Sequence, residues 1–355
     1  MKTRIAVAGA GLIGQTHMAL LQRSPDAQLA AVVDPSPQAA QSAQAAGVPW
    51  FASLHELLAQ SRPDAVVLAT PNALHVPQAL QCLKAGLAVL VEKPVATSVK
   101  EAWQLVQATE QCQGRVLVGH HRAHSAIMQT AVQAIREGRL GRLVGVMGSA
   151  LFFKPDDYFE QGPWRTRKGG GPILINLIHE IHNLRMLCGE IVSVQALASN
   201  AIRQFEVEDS VVINFRFSSG ALGSFMLSDT AACARSWEQT SQENPAYPSY
   251  DDEDCYVIAG TRGSLSVPTM RVKSYARDED RSWWKPFVTA HLALERHDPL
   301  ERQMAHFVAV TRGEARPWVS ARDGMANLQV TEAIGQAIAS GSRVDLAPNP
   351  ENPLP

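Results

Sequence analysis

Residues 7–14 read Val-Ala-Gly9-Ala-Gly11-Leu12-Ile13-Gly14, a GxGxxG string directly behind the apolar run 5–8 and opening a helical pattern at 14–22. A short buried strand, a glycine turn and a helix start constrain the fold more than any other text in the chain. Twenty positions after Gly14, a second apolar run (29–34) ends on Asp34. That spacing fits a dinucleotide site, whose acidic residue accepts hydrogen bonds from the ribose hydroxyls. Gly9 would make the tight turn, Gly11 would admit the pyrophosphate to the backbone, and Gly14 would let helix and strand pack closely. The helix start then offers the phosphates free N–H groups and the positive end of its dipole. A carboxylate at Asp34 repels an added 2′-phosphate, and Pro35-Ser36-Pro37 supplies no arginine to accept one. The expected cofactor is NAD, with NADP less favoured.

Further strand-like runs at 65–69, 88–91 and 116–118 alternate with helical patterns at 37–46, 54–59, 75–85 and 98–111. Such repetition implies right-handed βαβ crossovers and a doubly wound parallel sheet. The period changes after residue 122. A helix at 127–137 and a longer strand at 143–153 precede Gly169-Gly170-Gly171-Pro172, which opens a helix of about 15 residues. Strand pairs follow around Ser218-Ser219-Gly220 and around residues 260–263, and two helices close the pattern. The expected fold is α/β: a Rossmann domain over 1–122, then an α/β domain over 123–355 with a large, mainly antiparallel open sheet.

Composition limits the partners. With 355 residues, 46% hydrophobic, 19% charged and a net charge of −2, the chain has no global attraction for nucleic acid or an anionic membrane. No apolar run is long enough to cross a bilayer. Five widely spaced cysteines without a CxxC pair point to a reducing, cytoplasmic setting. The segment 238–254 carries six acidic residues and no basic ones, which fits either a solvated loop or a lid.

Ligands in open α/β sheets gather beyond the carboxyl ends of the strands. Those ends read Ala69-Thr70-Pro71-Asn72 with His75, then Glu92-Lys93-Pro94, then Gly119-His120-His121-Arg122. A lysine closing a buried strand is a functional candidate, with a structural ion pair as the alternative. Together with Trp164-Arg165 and the triple glycine followed by His179, these motifs resemble the Gfo/Idh/MocA oxidoreductases over nearly the whole chain. The resemblance implies hydride transfer between a nicotinamide cofactor and a CH–OH carbon of a sugar, cyclitol or related diol. It assigns Lys93 and His179 as catalytic, Lys93 steadying the reacting hydroxyl and His179 moving its proton. It places Gly9, Gly11, Leu12, Ile13, Gly14, Asp34, Thr70, Pro71, Asn72, His75, Glu92 and Lys93 at the cofactor. It also implies a cis bond before Pro94 and assembly into a homodimer or homotetramer through the open sheet.

The substrate-side residues implied are His121, Arg122, Trp164, Arg165, Asn176 and His182. Here the chain departs from its relatives: Ile175 stands where many carry an aspartate four residues before the histidine, Leu177 replaces a glycine, and His182 replaces a second aspartate. Asn176 and His182 either take over substrate contacts or are structural polar groups. No metal is expected, since His179 and His182 are three apart and HExxH needs four. Arg122, Lys154, Arg165, Arg167 and Lys168 form either a solvated basic face or a carboxylate site. The second option corresponds to an acidic sugar or a carboxylated cis-dihydrodiol as substrate. A hydrolase or isomerase that recycles a retained NAD, and a non-catalytic binding protein, are the alternative classes.

Overall fold

The computed structural model describes residues 1–346, which divide into two compact units: residues 1–124 with 298–328, and residues 125–297 with 329–346. In the first unit, strands β1 (Thr3–Ala8), β2 (Ala27–Val33), β3 (Trp50–Phe51), β4 (Ala65–Leu68), β5 (Ala88–Val91) and β6 (Val116–Val118) form one parallel sheet in the order 3-2-1-4-5-6. Helices α1 (Leu12–Arg23), α2 (Pro37–Ala46), α3 (Leu54–Gln60), α4 (Asn72–Lys84) and α5 (Val99–Gln111) are the crossovers. β4 and β5 are buried along their whole length, which is why they read as unbroken apolar runs rather than as alternation. Local chemistry sets the helix starts. The Ser53 and Ser98 side chains accept from the N–H of Glu56 and Glu101, and those glutamates reach back to the N–H of Ala52 and Thr97.

The second unit opens with α6 (Ala126–Arg136), capped by Ser125, and β7 (Leu143–Leu151). It continues through α7 (Asp156–Glu160), a π-helical turn (Ile173–Leu177) that runs straight into α8 (Ile178–Cys188), β8 (Ile191–Ser199), β9 (Ser210–Phe217) and β10 (Leu222–Ser228). Then come α9 (Trp237–Thr240), β11 (Tyr256–Gly260), β12 (Gly263–Val267), β13 (Arg271–Ser274) and β14 (Val288–His291). These strands and β15 (Val344–Asp345) form a nine-stranded sheet, in the order 14-13-12-11-7-10-9-8-15. Only β7 and β10 run parallel in it; every other neighbour is antiparallel. In β9 the alternation is strict, with Val211, Ile213, Phe215 and Phe217 buried and the residues between them exposed. The buried face packs under α6 and α8 in one core that includes Ile127, Leu184, Ile213, Phe225 and Ile334. The opposite face carries Val144, Met147, Leu197, Leu222 and Met226, all exposed.

The expected division at 122/123 falls at 124/125 in the structure and differs from it in one larger respect. The helix α10 (Pro299–Arg312) and the first residues of α11 (Ala321–Ser340) belong to the first unit. The apolar stripe of α10, with Met304, Phe307 and Val308, is buried there, and α10 packs on α1 and β5. From residue 329, α11 carries Val330, Ala333, Ile334 and Ala337 into the core of the second unit.

Candidate active site

The glycine turn of the first unit has the shape of a phosphate cradle. Gly9 has φ of +93°, and a Cβ there would lie 2.3 Å from the Ala69 carbonyl oxygen. A Cβ at Gly14 would lie 1.9 Å from the Gly9 carbonyl oxygen, so both positions admit only glycine. At Gly11 the picture reverses: a Cβ would meet nothing within 4 Å, and α1 starts there with no side chain capping its N–H groups. This open, uncapped helix start is what a pyrophosphate needs. Leu12 beside it is 89% exposed, and Ile13 is half-buried. Asp34 sits at the end of β2, where its carboxylate accepts from the N–H of Ala10 at 2.9 Å and of Ser36 at 2.8 Å. Burial pushes its pKa up, but the hydrogen bonds from Ser36 and Ala10 outweigh burial and hold it below the ordinary value. Asp34 is therefore anionic at neutral pH. These residues fit a dinucleotide with free ribose hydroxyls.

The next two strand ends are tied together. The His75 ring is buried and bridges the carbonyls of Thr70 and Pro94, each at 2.8 Å, while the Thr70 hydroxyl donates to Gln78 Oε1. His75 thus spaces the Thr70-Pro71 loop from the Lys93-Pro94 turn, whose peptide bond is cis. Pro71 and Asn72 are exposed at the start of α4. Lys93 is half-buried beyond β5. Glu92 points the other way, into the protein: its carboxylate meets His17 Nε2 at 2.8 Å, and a Cβ at Gly119 would lie within 3 Å of it. Burial raises the Glu92 pKa, yet the His17 hydrogen bond and the charges of His17, Lys93 and His121 bring it below the ordinary value. Burial, with Arg122 in the same direction, pushes His121 down to about 3, so His121 is neutral. Arg122 is buried beside it in a 3-10 turn (His121–His124). His120 faces Asn327 and His124 faces His306, so these two histidines bind within the scaffold.

In the second unit the π-helical turn and α8 present Asn176, His179 and His182 from one continuous helical run. Inserting one residue into a helical turn is a common way of re-aiming side chains at functional sites. His179 and His182 are both buried. Asn176 Oδ1 accepts from Lys154 Nζ at 2.7 Å. Lys154 lies just past β7, its ammonium over the rings of Phe152 and Tyr158. Arg165 stacks on the same Tyr158 ring at 3.9 Å and donates to the Tyr158 carbonyl; Trp164 is exposed beside it. Asp229, just past β10, is paired with Arg203 at 2.9 Å. No sequence signal marks Tyr158, Arg203 or Asp229; ring stacking and ion pairing bring them to this cluster from α7, the β8–β9 turn and the end of β10.

The acidic segment is partly anchored. Glu243 accepts from the Trp237 indole, Glu253 pairs with Arg235, and Asp254 is buried against Arg271 and the Thr269 N–H. Among the described residues, no group of three or more His, Cys, Asp or Glu side chains is placed to hold a metal ion. None of the helices described is long and apolar enough to cross a membrane.

Residues 3–120 match the family model of the Gfo/Idh/MocA oxidoreductases, described as an NAD-binding Rossmann fold, and residues 128–266 match the Gfo/Idh/MocA C-terminal domain. The 1,5-anhydro-D-fructose reductase of Ensifer adhaerens is 27% identical, over 83% of this chain and 83% of its own. The inositol 2-dehydrogenase of Rhizobium meliloti is 23% identical, over 98% of this chain and 100% of its own. Among solved structures, the WlbA dehydrogenase of Bordetella pertussis, crystallised with NADH and UDP-GlcNAcA, is similar with a TM-score of 0.78. It is 27% identical, and the match covers 98% of this chain and 100% of that one. Two matched domains in the family's order, a 3-2-1-4-5-6 sheet ending in this glycine cradle and a cis bond after Lys93 lead to one statement: the chain belongs to the Gfo/Idh/MocA family of NAD-binding oxidoreductases.

Proposed function

We propose that this protein is an NAD-dependent dehydrogenase that acts on a CH–OH group of a sugar, cyclitol or related diol. The observation that carries the reading is the open, uncapped start of α1 at Gly11, flanked by the anionic Asp34. Gly9, Gly11, Leu12, Ile13 and Gly14 cradle the pyrophosphate, Asp34 takes the ribose hydroxyls, and Thr70, Pro71 and Asn72 line the path toward the nicotinamide. The bound cofactor supplies the hydride acceptor. Lys93 donates a hydrogen bond to the reacting hydroxyl oxygen and steadies the charge that develops on it, while His179 removes the hydroxyl proton. In the reverse direction His179 returns that proton. His121, held neutral, and Arg122 are assigned to the substrate along with Trp164, Arg165, Asn176 and His182. His75 and Glu92 act from behind, by fixing the Thr70 and Lys93 loops.

The exposed apolar face of the nine-stranded sheet supports assembly of the chain into a homodimer or homotetramer through Val144, Met147, Leu197, Leu222 and Met226. Free cysteines throughout the described chain support a cytoplasmic location. The test is NADH absorbance with NAD and a panel of inositols, aldoses, ketoses, acidic sugars and aromatic-acid cis-dihydrodiols. Lys93→Met and His179→Ala run in parallel, each expected to lower kcat by at least about 100-fold. Full turnover in either variant rejects the assigned role. Product without net NADH would reassign the protein to chemistry that recycles a retained cofactor.

A further inference from the structure

Strands β7 and β10 are the one parallel pair among the described strands of the larger sheet, so their carboxyl ends lie side by side. The residues just beyond them are Lys154 and Asp229, joined by the Lys154 N–H to Asp229 carbonyl bond at 2.9 Å. The Lys154 side chain is only 12% exposed, and its short contact is to a neutral group, Asn176 Oδ1 at 2.7 Å. The Asp229 carboxylate is 3.8 Å away and already holds the guanidinium of Arg203 at 2.9 Å. Asp209 is occupied as well, by the N–H groups of Ile202 and Arg203 and by the Ser210 hydroxyl. A second cation lies close by: Arg165 shares the Tyr158 ring with Lys154, and its buried Nε meets no hydrogen-bond partner among the described residues.

A desolvated ammonium whose close partner is an amide is under-compensated, and an entering anion would complete it. The titration of the group agrees. Burial lowers the Lys154 pKa to about 8 against the opposing charges of Asp229 and Glu238, with Arg165 and Arg203 adding to the fall. Asn176 fixes where that anion must sit. It stands three residues before His179 in one continuous run that passes from the π-helical turn into α8, so the two side chains leave that run within one turn of each other. The anion therefore belongs to the same small molecule as the carbinol that His179 serves, close to the reacting carbon.

We infer that Lys154, positioned by Asn176 and supported by Arg165, is a specificity-determining residue that binds a carboxylate of the substrate, so that the protein prefers an acidic sugar or carboxylated diol over its neutral counterpart. This rests on the dehydrogenase reading above. Phosphate esters share the anionic chemistry and serve as the contrasting arm of the test.

The experiment measures NADH formation with matched sets: glucose, glucuronate and glucose 6-phosphate; galactose and galacturonate; and a neutral and a carboxylated cis-dihydrodiol. Wild type, Lys154→Met and Lys154→Arg are compared. The expected wild-type preference, as kcat/KM, is at least about tenfold for the carboxylated member of a set, the scale of one charge-assisted hydrogen bond. Lys154→Met should abolish that ratio and Lys154→Arg should retain most of it. Preference for neutral members, a ratio unchanged in Lys154→Met, or phosphate esters exceeding carboxylates overturns the inference. A separate arm titrates glucuronate into the NADH-saturated protein by calorimetry. If no set yields NADH, the dehydrogenase reading fails, and this arm still decides Lys154. Glucuronate binding that weakens about tenfold or more in Lys154→Met supports the carboxylate site, and its absence overturns it.

Discussion

Behind Lys93, the His17–Glu92 pair makes a quantitative prediction. The His17 side chain is fully buried, the Glu92 side chain is 9% exposed, and Nε2 and Oε1 are 2.8 Å apart. Replacing His17 by leucine leaves a buried carboxylate without its main partner, which in comparable cases costs about 3–5 kcal/mol. An independent bound comes from titration: protonating this carboxylate at pH 7 from its ordinary value of 4.5 costs about 3.4 kcal/mol, so the variant escapes by that route at a similar cost. At about 2–4 °C per kcal/mol for a unit of this size, His17→Leu should lower the melting temperature by roughly 6–20 °C at pH 7. The double variant His17→Leu/Glu92→Met removes both partners and should recover most of that loss, giving a coupling energy of about 2 kcal/mol or more. The pH dependence has a definite sign. In the wild type the folded-state pKa of Glu92 lies below its ordinary value of 4.5, so the pair's contribution is complete above that value and is lost as the pH falls through the depressed one. In His17→Leu the folded protein instead takes up a proton at higher pH, so the gap between variant and wild type narrows on acidification from 7 to 5. Thermal and urea unfolding at the two pH values measure all of this. A His17→Leu cost below about 1 kcal/mol at pH 7, or single-variant effects that simply add, would refute the picture of a coupled buried pair.

The glycine cradle separates folding from binding. Gly11→Ala should leave the melting temperature within about 2 °C, because its Cβ enters open space at φ of −70°, yet weaken NADH by about tenfold or more in a fluorescence titration. Gly14→Ala should instead lower the melting temperature itself, since its Cβ overlaps the Gly9 carbonyl. Asp34→Asn keeps the shape and removes the charge, so the ratio of NADPH to NADH dissociation constants should fall by about 10- to 100-fold; an unchanged ratio would mean that another group reads the ribose. Iodoacetamide applied to the folded protein at pH 7.5 should label Cys112, which is exposed, and spare Cys82 and Cys188, whose thiols burial pushes up to about 12. Peptide mass spectrometry distinguishes the sites.

The first unit was legible because its strands are buried on both faces, so that text such as Ala65-Val66-Val67-Leu68 admits few other readings. Of the strands missing from the sequence reading, β14 is at the opposite extreme. Val288–His291 is exposed at every position, so no alternation marks it, and it is a strand only because Arg271–Ser274 offers it a partner. The return of α10 to the first unit was illegible for a related reason: an amphipathic stripe reports that a helix is covered, not by what. The site divides along the same line. Gly9, Gly14 and the cis bond before Pro94 are backbone requirements that leave a direct trace in residue type. Residue type does not tell Lys154, Arg167 and Lys168 apart, since all three read as members of one basic group. Arg167 and Lys168 are exposed in the fold, whereas β7 carries Lys154 inward to Asn176. Burial decides whether a cation is solvated surface or a charge in need of a partner, and for this lysine burial is fixed by the pairing of two strands about 75 residues apart in the chain.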